Sequence, residues 1–141
     1  MTTDTSSPRS RLDIRVYYED TDAGGVVFYA NYLKFFERGR TEWLRRLGVD
    51  QSRLAVDEHC MFVVKNVEIQ YRKPARLDDL LSVHSRITRL GKASIHFSQQ
   101  AEVGGQLLCD STIQVCCVDT RTLRPTALPE TLRTLLEKVQ D

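Results

Sequence analysis

No apolar run in this 141-residue chain approaches the roughly 20 residues that a helix needs to cross a bilayer, so nothing in it reads as a membrane span. Charge of one sign is lacking too: 20 Lys and Arg stand against 19 Asp and Glu, net +1, which gives no electrostatic reason to expect a nucleic-acid or membrane partner. Histidine is scarce, and His59, His84 and His96 are not at ligand spacing. The cysteines, Cys60, Cys109, Cys116 and Cys117, form no C-x-x-C pair. These absences argue against a metal site and a disulfide framework, and the four cysteines are expected to be buried, reduced thiols. There is no G-x-S-x-G elbow and no Walker or dinucleotide fingerprint, so serine-hydrolase and nucleotide-binding readings lack support. The opening residues, MTTDTSSPRSR, lack the apolar stretch of a secretion signal. The expectation is a disordered tail over residues 1–11 and one domain over residues 12–141, in a cytoplasmic protein.

What is present is an ordinary globular composition, 41% hydrophobic and 28% charged, arranged around the stretch from Val16 to Arg40. Leu12 to Glu19 reads as a first strand, and Glu19 to Gly25 as an acidic, flexible loop. From Tyr29 to Leu47 the apolar residues Tyr29, Tyr32, Leu33, Phe36, Trp43, Leu44 and Leu47 fall at helical spacing, with Gly48 as the cap. Gly39 in mid-helix is expected to let the helix approach a sheet closely. A connector over residues 50–58 leads into four strand patterns, Met61 to Tyr71, Leu80 to Leu90, Ser94 to Val103 and Gln106 to Val118. The last pair is joined by Gly104-Gly105, a tight hairpin signal. A short amphipathic helix opens at Leu128-Pro129-Glu130. Consecutive strands with short turns make an antiparallel meander, whose apolar face one long helix must cover: an α+β fold, a sheet wrapped around a central helix.

Chemistry concentrates where the acidic loop meets the helix. A carboxylate there can act as general base or nucleophile, and the first helical amides, around Val27 to Tyr29, are candidate donors to a developing oxyanion. That pairing suits attack on an activated acyl group, above all a thioester, since a thiol with pKa near 8.5 leaves without a strong acid. The alternative for Asp22 is purely local: a helix cap or an Asx turn. Glu37, Arg38, Arg40 and Glu42 read as an ion-pair face of the helix. His59 and His96 sit in strand-like contexts, and the Arg72-Lys73 and Arg89-Lys92 pairs at strand ends are solvated charge unless they meet a phosphate.

The run Tyr18-Glu19-Asp20-Thr21-Asp22-Ala23-Gly24-Gly25-Val26-Val27, then Tyr32 and Glu37-Arg38-Gly39-Arg40-Thr41-Glu42, resembles the hotdog-fold acyl-CoA thioesterases of the hydroxybenzoyl-CoA thioesterase type, more narrowly their Tol-Pal-associated, YbgC-type branch. YRKPARLDDL from Tyr71, Val115 to Asp119, Arg124-Pro125 and Leu128-Pro129 extend the likeness over about Val16 to Leu136. The resemblance implies a hotdog fold and homodimers joined edge to edge, often paired into homotetramers, with active sites at the interface. It implies Asp22 as the catalytic carboxylate, in either role, and the backbone amide of Tyr29 as the group that polarises the thioester carbonyl. Gly25, Val26, Val27, Phe28 and Tyr32 are implied to contact substrate, with Arg89 and Lys92 holding the phosphates of coenzyme A. No cofactor is implied, coenzyme A being part of the substrate.

Members of that branch often carry histidine where this chain has Tyr29, which removes a side-chain imidazole but leaves the backbone amide. The expected activity is hydrolysis of an acyl-CoA, or of an acyl carrier protein thioester. A hotdog dehydratase would need an H-F-x-x-x-P-like segment, which is absent. The rival of another class is a non-catalytic acyl-CoA or acyl carrier protein binding module linked to lipid synthesis; a structural partner of an envelope complex is a third.

Overall fold

The structure, a computed structural model, describes residues 8–141. The tail expected over residues 1–11 lies partly outside these residues. Its last part is not a tail: strand β1 covers Arg9–Arg15 and pairs along its length with the third strand, Arg9 level with Arg86. The chain then leaves the sheet, and Tyr18–Asp20 forms a 3-10 turn where the first strand was expected to continue.

Helix α1 runs Asn31–Arg46. It buries Tyr32, Phe35, Phe36, Gly39, Arg40, Trp43 and Leu44, a stripe spaced by threes and fours. Arg45 and Arg46 lie in the last turn, where cations offset the helix dipole. Gly48 ends it at φ +93°, a conformation that other residues adopt at a cost. The helix starts at Asn31, later than the expected Tyr29, because the Phe28 amide is drawn aside to the Asp20 carbonyl at 3.0 Å. Helix α2 (Gln51–Asp57) fills the expected connector, its first amides at Ser52 and Arg53 capped by the Asp50 carboxylate.

Strands β2 (Cys60–Tyr71), β3 (Leu80–Leu90), β4 (Ser94–Val103) and β5 (Gln106–Asp119) complete one antiparallel sheet in the order β1-β3-β4-β5-β2. Gly104 and Gly105 take φ +56° and +81° in the hairpin between β4 and β5, as that turn requires. Alternate residues of the central strands face α1: Leu81, Val83 and Ile87 on β3, Ile95, Phe97 and Ala101 on β4, Cys109, Ile113 and Val115 on β5. Helix α3 (Glu130–Glu137) buries Leu132 and Leu136 and returns the chain to the sheet, where the Asp141 amide reaches the Ile87 carbonyl.

A polar row crosses this apolar face. Ser85, Gln99 and Ser111 are register neighbours on β3, β4 and β5, and all three are buried. Gln99 donates from Nε2 to the Phe36 carbonyl and to Ser85 Oγ, both at 2.8 Å, and accepts from Arg40 Nη1 at 2.9 Å. The helix lies close over this row at Gly39, where an added Cβ would stand 2.9 Å from Val83 Cγ1 and 3.2 Å from Gln99 Nε2. Close approach is therefore what this glycine permits.

Two expectations need correction. Cys60 and Cys117 are joined by a disulfide across β2 and β5, with Cα atoms 6.1 Å apart, so only Cys109 and Cys116 remain buried free thiols. The helix charges do not form one ion-pair face. Glu42 pairs with Arg45 and Glu37 accepts from Thr41, but Arg40 turns inward, because position 40 lies on the stripe of Phe36, Trp43 and Leu44.

Candidate active site

The segment between β1 and α1 is held in shape chiefly by Asp20. Its buried carboxylate accepts the Tyr17 amide on Oδ2 and Asn31 Nδ2 on Oδ1, each at 2.9 Å, so one side chain ties the end of the strand region to the first turn of α1. Asp22, only two residues on, is exposed. Its Oδ1 accepts the Gly24 amide at 2.8 Å, and its carbonyl accepts the Gly25 amide at 3.0 Å. This is the Asx turn that the sequence offered as the local reading, and Gly25 completes it at φ +79°. The turn leaves Oδ2 without a hydrogen bond among the described residues. The two aspartates of the loop thus differ in kind: Asp20 is structural, while Asp22 keeps a free oxygen.

The loop is braced from outside. Val26 bridges to Arg76, and the Val27 amide donates to the Ala75 carbonyl at 2.8 Å. With the Phe28 amide on Asp20, two of the donors in the expected Val27–Tyr29 group are thereby occupied. The amides of Tyr29 and Ala30 donate to no group among the described residues. They precede a 16-residue helix, so the dipole adds to their pull on an anion. The expected Tyr29 amide is therefore available, and Ala30 is a second donor that residue patterns did not single out.

Beside these amides lies an open cleft of about 280 Å³ lined by Val27, Tyr29, Tyr32, Tyr71, Arg72 and Pro74, together with Lys73. Its wall is aromatic: the Tyr29 and Tyr71 rings meet edge to face at 6.1 Å, and Tyr32 and Tyr71 are 5.6 Å apart. Tyr71 Oη donates to the Tyr29 carbonyl at 2.9 Å, fixing the Tyr29–Ala30 peptide that carries the free Ala30 amide. Tyr32 Oη accepts from the Ala75 amide at 3.2 Å. Burial pushes both phenol pKa values up, so these hydroxyls stay protonated.

Of the sequence candidates, Val27, Tyr29 and Tyr32 line this cleft; Asp22, Gly25, Val26 and Phe28 belong to the loop beside it and do not form its wall. Arg89 and Lys92 are elsewhere. They flank the turn before Ser94, which is level with Cys116, whereas Tyr71 at the cleft is level with Cys109. At ~3.3 Å per residue, the stretch of β5 from Cys109 to Cys116 separates the two ends by about 23 Å. Within one chain the cations at the cleft are Arg72, which is held by Asp110 at 2.7 Å, and Lys73, whose ammonium has no partner among the described residues. His59 begins the chain's entry into β2 at φ +50°, and His96 sits on β4 with its pKa lowered by burial and by Arg89. Neither is near Asp22. Among the described residues no group of acidic, histidine or cysteine side chains could hold a metal.

Residues 16–136 match the Thioesterase-like superfamily. The chain is 45% identical over 120 residues to the acyl-CoA thioesterase YbgC of Haemophilus influenzae, covering 85% of this chain and 88% of that one. It is 43% identical over 123 residues to the acyl-CoA thioester hydrolase YbgC of Escherichia coli O157:H7, covering 86% and 91%. Among solved structures it is similar to a probable thioesterase from Bartonella henselae, with a TM-score of 0.81 at 37% identity over 86% of this chain and 99% of that one.

Proposed function

The chain belongs to the Thioesterase-like superfamily, and from that membership we infer that it is an acyl-CoA thioester hydrolase, releasing a free acid and coenzyme A. We propose Asp22 as its catalytic carboxylate. Either Asp22 takes a proton from water as the water oxygen bonds to the acyl carbon, or Asp22 bonds to that carbon itself and water then opens the anhydride. In both routes the C–S bond breaks, and the thiolate leaves and takes up a proton. The observation that supports this reading most is the free Oδ2 of Asp22 next to a helix start whose Tyr29 and Ala30 amides are also free. Those amides would take the negative charge of the tetrahedral intermediate, and the Tyr71 hydrogen bond would keep the Ala30 amide aimed. The aromatic cleft would take part of the acyl-CoA, with Lys73 near its phosphates.

We further propose that two copies pair through β2. It ends the sheet, its outer backbone edge has no strand partner among the described residues, and Val63 and Val64 are 40% and 50% exposed there. A two-fold antiparallel pairing would set the Cys60 end of one β2 against the Tyr71 end of the other. That would carry Arg89 and Lys92 of the second copy toward the first copy's cleft, where phosphate binding by them becomes feasible, and would cover the exposed Asp22. A cytoplasmic site of action and use of an acyl carrier protein thioester remain part of this proposal.

The second reading, an acyl-CoA binding module without turnover, is favoured by one observation: Asp22 is engaged in an Asx turn and does not line the cleft. Thiol release from a panel of acyl-CoAs differing in length and aromaticity separates the two. Under the hydrolase reading, Asp22→Asn lowers kcat by about 10²–10⁴-fold with the fold unchanged. A variant within a few-fold of wild type would refute the role of Asp22, and acyl-CoA binding without release would establish the binding module.

A further inference from the structure

Tyr32 lines the aromatic cleft from the first turn of α1 and is only 2% exposed. Its Oη accepts the Ala75 amide at 3.2 Å but donates to no group among the described residues. A hydroxyl can both accept and donate, and a buried donor left unused is unfavourable, so this proton is set for an acceptor that the described residues do not supply. The oxygen is held in place: Ala75 also accepts the Val27 amide, at 2.8 Å, so the phenol is fixed relative to the Asp22 loop. Burial raises the Tyr32 pKa, so the proton stays on the oxygen and serves as a hydrogen-bond donor. The other donors of the cleft wall are engaged or on its rim. Tyr71 gives its proton to the Tyr29 carbonyl, Arg72 is held by Asp110 and Gln70, and Lys73 is exposed. Tyr32 stands one helical turn after Tyr29, about 4.5 Å along the axis, and helical side chains lean back toward the N-terminus. Both tyrosine rings meet Tyr71, so the hydroxyl borders the same space as the free Tyr29 and Ala30 amides.

We propose that Tyr32 recognises the leaving thiol, donating its hydroxyl hydrogen bond to the amide carbonyl that lies two methylenes beyond the sulfur of coenzyme A. This rests on the proposed activity and adds to it the residue that selects the thiol arm. With the thioester oxygen on the Tyr29 and Ala30 amides, that carbonyl is the first strong acceptor along the arm beyond the sulfur. The contact is remote from the bonds that change, so it holds bound substrate and transition state alike. Its effect should therefore fall on KM and leave kcat nearly unchanged.

The probes are two thioesters of benzoic acid, S-(2-acetamidoethyl) and S-pentyl. The first carries the arm amide, and the second replaces it by methylenes of the same length. Thiol release is followed for wild type and Tyr32→Phe. The ratio of kcat/KM for the amide probe to that for the pentyl probe should fall about three- to tenfold in Tyr32→Phe, through KM. A purely structural loss, of packing or of the Ala75 contact, would lower both probes alike and leave the ratio unchanged. On wild type alone, exchanging the amide oxygen of the probe for sulfur, a poorer acceptor of similar shape, should raise KM about threefold, which covers the case that Tyr32→Phe does not fold. An unchanged ratio, a loss carried by kcat on both probes, or a thioamide probe as good as the amide would each overturn the proposal. The thioether analogues of the two probes, titrated into both proteins and followed by the methyl NMR shifts of Val27, give the same ratio as affinities. Binding without release would then count against the hydrolase reading, while the affinity ratio still decides the role of Tyr32.

Discussion

Replacing Gly39 with alanine sets helix propensity against packing, and the structure gives the size of each. In an isolated helix the change would stabilise by about 1 kcal/mol. Here the new methyl would stand 2.9 Å from Val83 Cγ1 and 3.2 Å from both Gln99 Nε2 and Ser85 Oγ. Val83 is β-branched and fully buried and Gln99 is fully buried, so neither can swing into solvent. Overpacking of this kind costs about 1–3 kcal/mol. Loosening one of the two Gln99 Nε2 bonds adds about 1 kcal/mol. The net expectation is destabilisation by about 1–3 kcal/mol. With an unfolding entropy of roughly 2.1 cal/mol/K for each of 141 residues, 1 kcal/mol moves Tm by about 3 °C, so the melting point should fall by about 3–10 °C. Thermal unfolding followed by circular dichroism reads this directly. Trimming the obstacle in the double variant Gly39→Ala, Val83→Ala should show favourable coupling of about 1 kcal/mol or more in a double-mutant cycle. A single variant as stable as wild type, or more so, would refute the close-approach argument.

The two loop aspartates should separate in a melting experiment. Asp20→Asn must turn an amide N–H toward either the Tyr17 amide or Asn31 Nδ2, both donors, and should cost about 2–3 kcal/mol. Asp22→Asn keeps an acceptor for the Gly24 amide and should cost well under 1 kcal/mol; equal losses would contradict the division of roles. Cys109 should resist alkylation in the native protein. Burial, aided by Asp110, pushes its pKa up to about 12, leaving roughly 10⁻⁴ of the thiol ionised at pH 8 against about a quarter of a free cysteine. Iodoacetamide labelling of Cys109 at the rate of a free thiol, read by mass spectrometry, would show the site to be open.

Periodicity carried the architecture because its cause is local. The stripe from Tyr32 to Leu44, the alternation on β3 to β5 and the Gly104-Gly105 turn each report the face a residue presents within its own element. The loop composition likewise located the acidic segment, and Asp22, Gly25 and Tyr29 are all part of it. What escaped was set between elements. Nothing near Asp20 marks it as the buried anchor; its partner Asn31 is eleven residues away on the helix. Tyr71 reaches Tyr29 across a separation of 42, which the packing of the loop against β2 decides, and Cys60 meets Cys117 across 57, which the sheet register decides. Arg89 and Lys92 are at one end of the sheet and the Asp22 loop at the other, which follows from strand order and not from composition. Arg40 did have a local signal: it lies four residues after Phe36 and three before Trp43, and its charge drew attention from that position.

The strand order β1-β3-β4-β5-β2 also governs how the molecule can come into being. Helix α1 and the Asp22 loop leave the ribosome early, yet nearly everything they lean on is encoded after them. The stripe of Tyr32, Phe35, Phe36, Trp43 and Leu44 is complete at Arg46, while β5, which lies between β4 and β2 and is the strand neighbour of β2 among the described residues, ends at Asp119. At ~5–20 residues per second, the interval between those points is about 4–15 s. For that time the nascent chain carries an aromatic helix and an unpaired β2 with no sheet to receive them. The β3-β4-β5 meander, closed by short turns, can then form at once and gather the older segments from both sides. Exposed apolar surface and unpaired strand edges favour aggregation, which is the general cost of placing a central helix ahead of its sheet.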